Sequence, residues 1–256
     1  MRSPRLADKV AFITGAGSGM GRAAALLFAA EGAGIVGFDL DAGALDEVAA
    51  GVRSRGGDMV AIVGDTAQET DVAQAVDQGY RHFGRLDVLL PAAGVLWKHI
   101  DRSVTDTETE AWDKVMGINL RGPYLVCKHG IPRLQQSGGG SIILIGSICA
   151  LAGFAVPQDA YTSSKGALVA LTRSLAVQFA RDGIRANIIH PGMIATPMQA
   201  EYMKDPEWVS AVEAEIPLGR MGTAEEIARV ALFLAGDDSS YLTGSEILAD
   251  GGFMAR

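Results

Sequence analysis

Val10-Ala-Phe-Ile-Thr14-Gly-Ala-Gly-Ser-Gly-Met-Gly21 is the stretch whose reading decides the fold. Val10–Thr14 is a short, mostly apolar run without strict alternation, the pattern of a parallel strand covered on both faces. It runs into a glycine-rich turn, and Gly21–Glu31 then reads as a helix. Glycine permits a tight turn and lets the backbone come close to a ligand. The helix start offers free N–H groups and the positive end of a dipole, which together suit a pyrophosphate. The spacing is Gly15-x-x-x-Gly19-x-Gly21, so it departs from the general G-x-G-x-x-G fingerprint of dinucleotide sites.

Outward from this unit the same alternation continues almost to the end of the chain. Gly34–Phe38, Met59–Val63, Leu86–Leu90, Ser141–Ile145, Arg185–Ile189 and Glu246–Ala249 read as further strands. Leu45–Arg55, Asp71–Phe83, Glu110–Leu134, Ala160–Asp182 and Ala224–Ala235 read as helices. Regular strand–helix alternation implies right-handed crossovers and a Rossmann-type, doubly wound parallel sheet of about seven strands with helices on both faces. No repeat, linker or low-complexity run divides residues 1–256, so one dinucleotide-binding and catalytic domain is expected. Val95–Thr109 and Gly192–Leu218 lack clean periodicity, and each follows a strand on the sheet edge where open α/β proteins bind ligands. The second, rich in Met, Pro and aromatic residues, is expected to be a substrate lid over 192–218.

Composition removes several function classes. Hydrophobic residues make up 48% of the chain and charged ones 20%, which is globular, and the net charge of -8 disfavours a grip on nucleic acid or on acidic membranes. Two cysteines, Cys127 and Cys149, cannot form the disulfide framework of a small secreted domain. The start of the chain carries charge but no apolar stretch, and no run approaches the roughly 20 apolar residues of a spanning helix. A cytoplasmic, soluble protein is the expectation. His82, His99, His129 and His190 show no metal-like spacing with acids or cysteines, so no metal site is expected.

The second strand ends at Asp39, near the offset at which an acid reaches the ribose hydroxyls of a dinucleotide. A carboxylate there repels a 2′-phosphate, and Ser18 and Leu40 stand where basic residues would welcome one. NAD is therefore expected over NADP, against the competing reading that Asp39 only begins a turn with Asp41. Further along, Tyr161 and Lys165 lie four apart in a strongly helical stretch and share one face. Free tyrosine titrates near 10, too high for a base at neutral pH, and a nearby ammonium together with the positive nicotinamide of NAD+ favours the phenolate. A tyrosine tuned in this way can transfer a proton.

Thr14-Gly-x-x-x-Gly-x-Gly21 and Tyr161-x-x-x-Lys165, in this order, resemble the short-chain dehydrogenase/reductase family over nearly the whole chain. The resemblance implies that Ser147 holds the substrate oxygen and that Asn119, in Gly117-Ile-Asn-Leu120, orders a water linking Lys165 to solvent. It makes Tyr161 the general acid/base and gives Lys165 a second role at the nicotinamide ribose. Gly15, Ser18, Gly19, Met20 and Gly21 of the turn, with Asp39 and Leu40, would hold the adenosine side, and Asp65 with Thr66 would border the adenine. Pro191-Gly192 and Ile194 would pass beneath the nicotinamide, with Thr196 on its carboxamide. After the fourth strand the family usually shows Asn-Asn-Ala-Gly, whereas this chain has Pro91-Ala-Ala-Gly94. Ala93 and Gly94 keep the backbone that passes the cofactor, but weaker local support is expected because both amides are gone.

The function implied is an NAD(H)-dependent oxidoreductase that interconverts a secondary alcohol and a ketone. Two other readings stay open: a 3-oxoacyl-thioester reductase of the same fold, and a non-catalytic NAD-binding sensor or scaffold. Trp97, Cys149, Phe154, Gln158 and Met193 are the candidate substrate contacts, although some of the aromatic and Met side chains could equally pack within the lid. Cys149 has no evident base nearby and reads as pocket wall, Cys127 as helix packing, and His190 as a residue of the turn after strand six. Family members frequently form homotetramers through helices that correspond to Glu110–Leu134 and Ala160–Asp182, and the same assembly is expected here.

Overall fold

The computed structural model describes residues 4–255. Seven parallel strands form its sheet: β1 (Val10–Thr14), β2 (Gly34–Asp39), β3 (Met59–Val63), β4 (Val88–Pro91), β5 (Gly140–Ile145), β6 (Ile184–Pro191) and β9 (Glu246–Ala249), in the order β3-β2-β1-β4-β5-β6-β9. The two short strands β7 (Ile194–Ala195) and β8 (Gly222–Thr223) pair with each other outside that sheet. The helices are α1 (Gly19–Ala30), α2 (Ala42–Arg53), α3 (Glu69–Phe83), α4 (Thr109–Met116), α5 (Gly122–Gln136), α6 (Asp159–Gln178), α7 (Pro206–Ala214) and α8 (Ala224–Ala235). This is the Rossmann-type α/β fold expected from the alternation, with strand ends within two residues of the sequence reading.

Alternate strand residues feed two cores. Ala11, Ile13 and Ile35 face α1, α2 and α8, whereas Val10, Phe12, Val36 and Phe38 face α3, α5 and α6. Because strands are covered on both sides, their sequences carry little alternation and read as apolar runs. β1 lies between β2 and β4, so the chain winds one way from β1 to β3 and the other way from β4 onward. The crevice beyond the carboxyl ends of β1 and β4 is the switch point where such sheets take ligands.

Two departures from the sequence reading matter for the site. The stretch expected as one helix over Glu110–Leu134 is interrupted by a π-helical turn at Gly117–Arg121, closed by the Gly122 amide donating to the Gly117 carbonyl five residues back. Pro123 has no N–H to give the carbonyl of Asn119, which removes the ordinary α-helical bond at that point. The region 192–218 is also more regular than expected: it contains β7, two 3-10 turns and α7. Asp205 caps α7 by accepting from the Glu207 amide, and Pro206 occupies its first position.

Candidate active site

Gly15 and Gly21 need to be glycine for separate reasons. Gly15 has φ +66, and a Cβ there would sit 2.9 Å from the Ala93 backbone. A Cβ on Gly21 would collide with the Gly15 carbonyl oxygen, so Gly21 keeps α1 close under the turn and does not itself line the cleft. Gly21 thus has a packing reason to be glycine beside the cofactor contact expected there. Ser18 stands at the N-cap of α1 without a side-chain capping bond, and no acid occupies the first turn. The helix start therefore faces a cleft of about 430 Å³ bordered by Ser18, Gly19 and Met20 on one side and by Asp65, Thr66, Ala93 and Gly94 on the others.

Asp39 and Leu40 close the far end of that cleft. Asp39 Oδ2 accepts from the Gly17 amide at 2.9 Å and Oδ1 from the Asp41 amide at 3.1 Å. The carboxylate thus both braces the glycine turn and presents its charge to the cleft. Asp65 Oδ1 accepts from the Ala67 amide, shaping the turn after β3. Thr66 Oγ1 is buried and has no hydrogen-bond partner among the described residues. An uncapped helix start, an unspent buried hydroxyl and a carboxylate at the far end of the cleft fit a dinucleotide.

Pro91-Ala-Ala-Gly94 keeps its place despite losing the family's amides. Thr14 Oγ1 accepts from the Ala93 amide at 3.1 Å, and Asn119 pairs with Val95 through both ends of its side-chain amide. Thr14 thus supports Ala93 within the segment, and Asn119 supports Val95 just after it. Asn119 is fully buried in the π turn.

A second cavity of about 550 Å³ adjoins the first, with Met20, Ala92, Gly94, Leu96, Thr196 and Met198 shared between them. Ser147, Tyr161 and Lys165 all line it. Ser147 follows β5 and accepts from the Cys149 amide at 3.1 Å. Tyr161 lies in the first turn of α6, with Lys165 one turn on, and the Lys165 ammonium is 5.6 Å from the phenol ring centre. Lys165 Nζ donates to the Ile145 carbonyl at 2.8 Å, which ties α6 to the end of β5. Burial pushes the Tyr161 phenol up to about 12, while the Ser147 hydroxyl hydrogen-bonded to it pulls the other way. Burial also drops Lys165 to about 8. In the protein alone, burial of the phenol outweighs the lowering influence of Ser147; the lowering expected from the Lys165 ammonium together with the positive nicotinamide belongs to the cofactor-bound site.

Of the remaining expected residues, Pro191, Gly192, Met193 and Ile194 line the second cavity with Cys149, Phe154 and Gln158. Trp97 lines the glycine-turn cleft instead of the second cavity, which its neighbours Leu96 and Lys98 both line. Gln158 spends its amide on Cys149 Sγ at 3.0 Å. Burial raises the Cys149 thiol, so it is a wall residue and no thiolate. Cys127 is buried within α5 and pushed up to about 12.

Three contributors had no signal in the sequence reading. Asp101 is fully buried in the stretch after β4, and its two oxygens accept from the Ala160 and Tyr161 amides at 3.0 and 2.8 Å. Its carboxylate therefore caps the catalytic helix at the residue that carries the phenol. His190, expected in the turn after strand six, is a fully buried residue of β6 itself. Its Nδ1 lies 3.0 Å from the Ser147 carbonyl oxygen and its Nε2 3.1 Å from Glu246 Oε2, so it supports Ser147 from beneath. Gln199 lines the second cavity with its Oε1 buried and unpartnered among the described residues.

Comparison with known proteins agrees with this geometry. The family model for enoyl-(acyl carrier protein) reductase matches residues 15–254. The 2-(R)-hydroxypropyl-CoM dehydrogenase of Xanthobacter autotrophicus is 40% identical, over 97% of this chain and 99% of that protein. Carveol dehydrogenase from Mycobacterium avium, solved in complex with NAD, superposes with a TM-score of 0.93 at 28% identity, over 99% of this chain and 100% of that one. A structure assigned as an NAD(P)-dependent gluconate 5-dehydrogenase from Beutenbergia cavernae, with NADP bound at low occupancy, has a TM-score of 0.90 at 32% identity and covers 100% of both chains. The chain belongs to the short-chain dehydrogenase/reductase family. Among the described residues no helix is long and apolar enough to cross a membrane, and no His/Cys/Asp/Glu cluster could hold a metal.

Proposed function

We propose that this chain is an NAD(H)-dependent dehydrogenase of secondary alcohols, working in either direction between alcohol and ketone. The observation that carries the reading is that Ser147, Tyr161 and Lys165 converge on one cavity that opens into the glycine-turn cleft. The dehydrogenases of hydroxypropyl-CoM and carveol among its relatives support the same reaction class. Asp39 at the end of the cleft supports NAD over NADP, since its charge opposes a 2′-phosphate.

The bound nicotinamide would supply the hydride acceptor or donor, held by the turn Gly15–Met20, Asp39, Thr66 and the segment Pro191–Thr196. The protein's own residues do the rest. Ser147 donates a hydrogen bond to the substrate oxygen and keeps it against Tyr161 Oη. Tyr161 takes the hydroxyl proton during oxidation and returns it during reduction. Lys165 keeps a cation beside the phenol, stabilising the phenolate as it forms. Asp101 and His190 hold Tyr161 and Ser147 in register, and the segment 192–218 acts as a lid that keeps water from the reacting carbon.

The apolar wall of Leu96, Ile148, Phe154, Met193 and Met198 favours an alicyclic, aromatic or aliphatic alcohol over a free polyol. A homotetramer built on α5 and α6 fits the exposed Tyr124 and Val177 on those helices, and light scattering would give the subunit number directly. The enzyme reading is tested by following NADH absorbance with a panel of alcohols, ketones and an acetoacetyl thioester, for wild type and Tyr161→Phe. Turnover by wild type alone, faster with NADH than with NADPH, is expected. Thioester reduction preferring NADPH would replace this reading with that of an acyl-thioester reductase, and NADH binding without turnover of any compound would favour a sensor.

A further inference from the structure

The cavity in front of Tyr161 contains a second amine. Lys98, on the stretch after β4, lines it together with Cys149, Gln158 and Trp208. Its Nζ lies 4.0 Å from the centre of the Tyr202 ring and 5.7 Å from that of Trp208, and the two rings pack 5.5 Å apart. Both rings belong to the segment that covers the cavity, so the cation is held between the cavity and its cover. Cation–π contact orients an ammonium without neutralising it.

Among the described residues no carboxylate forms an ion pair with Lys98, although Glu215 lines the same cavity, and the group that influences Lys98 electrostatically is Cys149. Lys9, Lys128 and Lys204 by contrast each meet a carboxylate. In a chain of net charge -8, a half-buried cation without a counter-ion is conspicuous. Burial without such a partner lowers its pKa, as desolvation of a lone charge does. The unpartnered Gln199 Oε1, on a side chain only 8% exposed, adds a second unspent polar group to the same cavity. Apart from these groups, the Ser147–Tyr161–Lys165 set, Gln158, Thr196 and Glu215, the cavity is walled chiefly by Leu, Ile, Met, Val and aromatic side chains.

We propose that Lys98 anchors an anionic group of the substrate, so that the natural substrate is a secondary alcohol or ketone with an apolar body and a carboxylate or sulfonate at its far end. The proposal rests on the dehydrogenase reading for its reaction, and it adds the substrate class and the residue that selects it. The apolar walls take the body, Tyr161 and Ser147 meet the carbinol, and Lys98 meets the anion. Charge–charge recognition of this kind discriminates more sharply than one more apolar contact, because an unmatched buried cation is costly.

The test is calorimetric binding of cyclohexanecarboxylate, cyclohexanesulfonate and cyclohexanol to wild type, Lys98→Met and Lys98→Arg, with and without NADH. At least one anion should bind wild type tenfold or more tightly than the alcohol, and whichever does so names the anion. Lys98→Met should erase that preference while leaving cyclohexanol affinity within twofold, and Lys98→Arg should retain it. In turnover of 4-hydroxycyclohexanecarboxylate, Lys98→Met should raise KM at least tenfold with kcat within twofold. Equal affinities in wild type, or a preference that survives Lys98→Met, would overturn the proposal. The calorimetry does not depend on turnover, so failure of the dehydrogenase reading would appear separately as activity unaffected by Tyr161→Phe.

Discussion

Asn119 holds Val95 by both of its backbone polar groups: Oδ1 accepts from the Val95 amide at 2.8 Å, and Nδ2 donates to its carbonyl at 2.9 Å. The side chain thereby acts as a short piece of strand, extending order beyond β4 where the sheet itself ends. The π turn that carries Asn119 is what sets it at this depth. The contact also explains how Pro91-Ala-Ala-Gly94 stays in place without asparagines of its own.

Asn119→Ala should therefore loosen the wall of the cofactor cleft. Two part-buried backbone groups lose their partners, at a cost of at most about 1–3 kcal/mol each. The expected outcome is a lower melting temperature together with NADH binding weakened several-fold, read by scanning fluorimetry and NADH titration. Unchanged stability and unchanged NADH affinity would show that Val95 is held by other means.

Asp39 has two roles that substitution can separate. Asp39→Asn keeps an oxygen for the Gly17 amide and removes the charge, whereas Asp39→Ala removes both. A carboxylate facing a 2′-phosphate at ~5 Å opposes it by about 3 kcal/mol at an effective dielectric constant of about 20. Asp39→Asn should accordingly raise the NADPH-to-NADH ratio of kcat/KM by roughly 10–100-fold with little loss of stability. Asp39→Ala should shift the ratio too, but with weaker binding of both cofactors. A ratio that stays put in the asparagine variant would mean that specificity is decided elsewhere in the cleft.

The titration of Tyr161 gives a prediction with a definite sign. Burial holds the phenol up at about 12 and the Ser147 hydroxyl lowers it. Alcohol oxidation needs the phenolate, so its rate should climb with pH and continue climbing into the alkaline range. Removing the Ser147 hydroxyl takes away a lowering influence, so less phenolate is present at any given pH. Ser147→Ala should show a lower kcat and a rising limb displaced to higher pH, measured as kcat/KM for oxidation against pH. A limb that moves to lower pH would contradict the assignment of Ser147 as the phenol's partner.

The parts of this site that were legible in the sequence are those whose function constrains local geometry. Gly15 must adopt φ +66 beside Ala93, and Gly21 must carry no Cβ, so the turn leaves a glycine pattern in the chain. Tyr161 and Lys165 share a helix face by spacing alone. Asp101 and His190 left no such trace, because their meaning comes from tertiary contact: Asp101 reaches an amide 60 residues away, and His190 reaches Ser147 across 43. An acid in an irregular stretch and a histidine at a strand end look ordinary until the sheet assembles. Trp97 was drawn toward the substrate side by its chemistry, whereas in the fold it lines the cofactor cleft while Leu96 and Lys98 on either side of it line the substrate cavity, a difference of side-chain direction that composition does not reveal. The interruption of the helix at Gly117–Arg121 was in principle readable, since Pro123 denies Asn119 its helical partner, but Pro is also ordinary in a first turn.

Asp101 offers the sharpest test of how the proton-transfer residue is held. Its oxygens take the amides of Ala160 and Tyr161, which otherwise begin α6 without partners. Losing a carboxylate cap of this kind costs about 1–2 kcal/mol, and the first turn it releases is the one that carries the phenol. Asp101→Ala should lower the melting temperature by a few degrees, given roughly 2–4 °C per kcal/mol for a chain of this size. Because Asp101 touches neither cavity, NADH affinity should stay within twofold while kcat falls at least tenfold. Asp101→Asn, which keeps one acceptor, should lie between the two. If kcat survives in Asp101→Ala while stability falls, the carboxylate serves the fold alone, and Tyr161 is positioned by Lys165 and the body of α6.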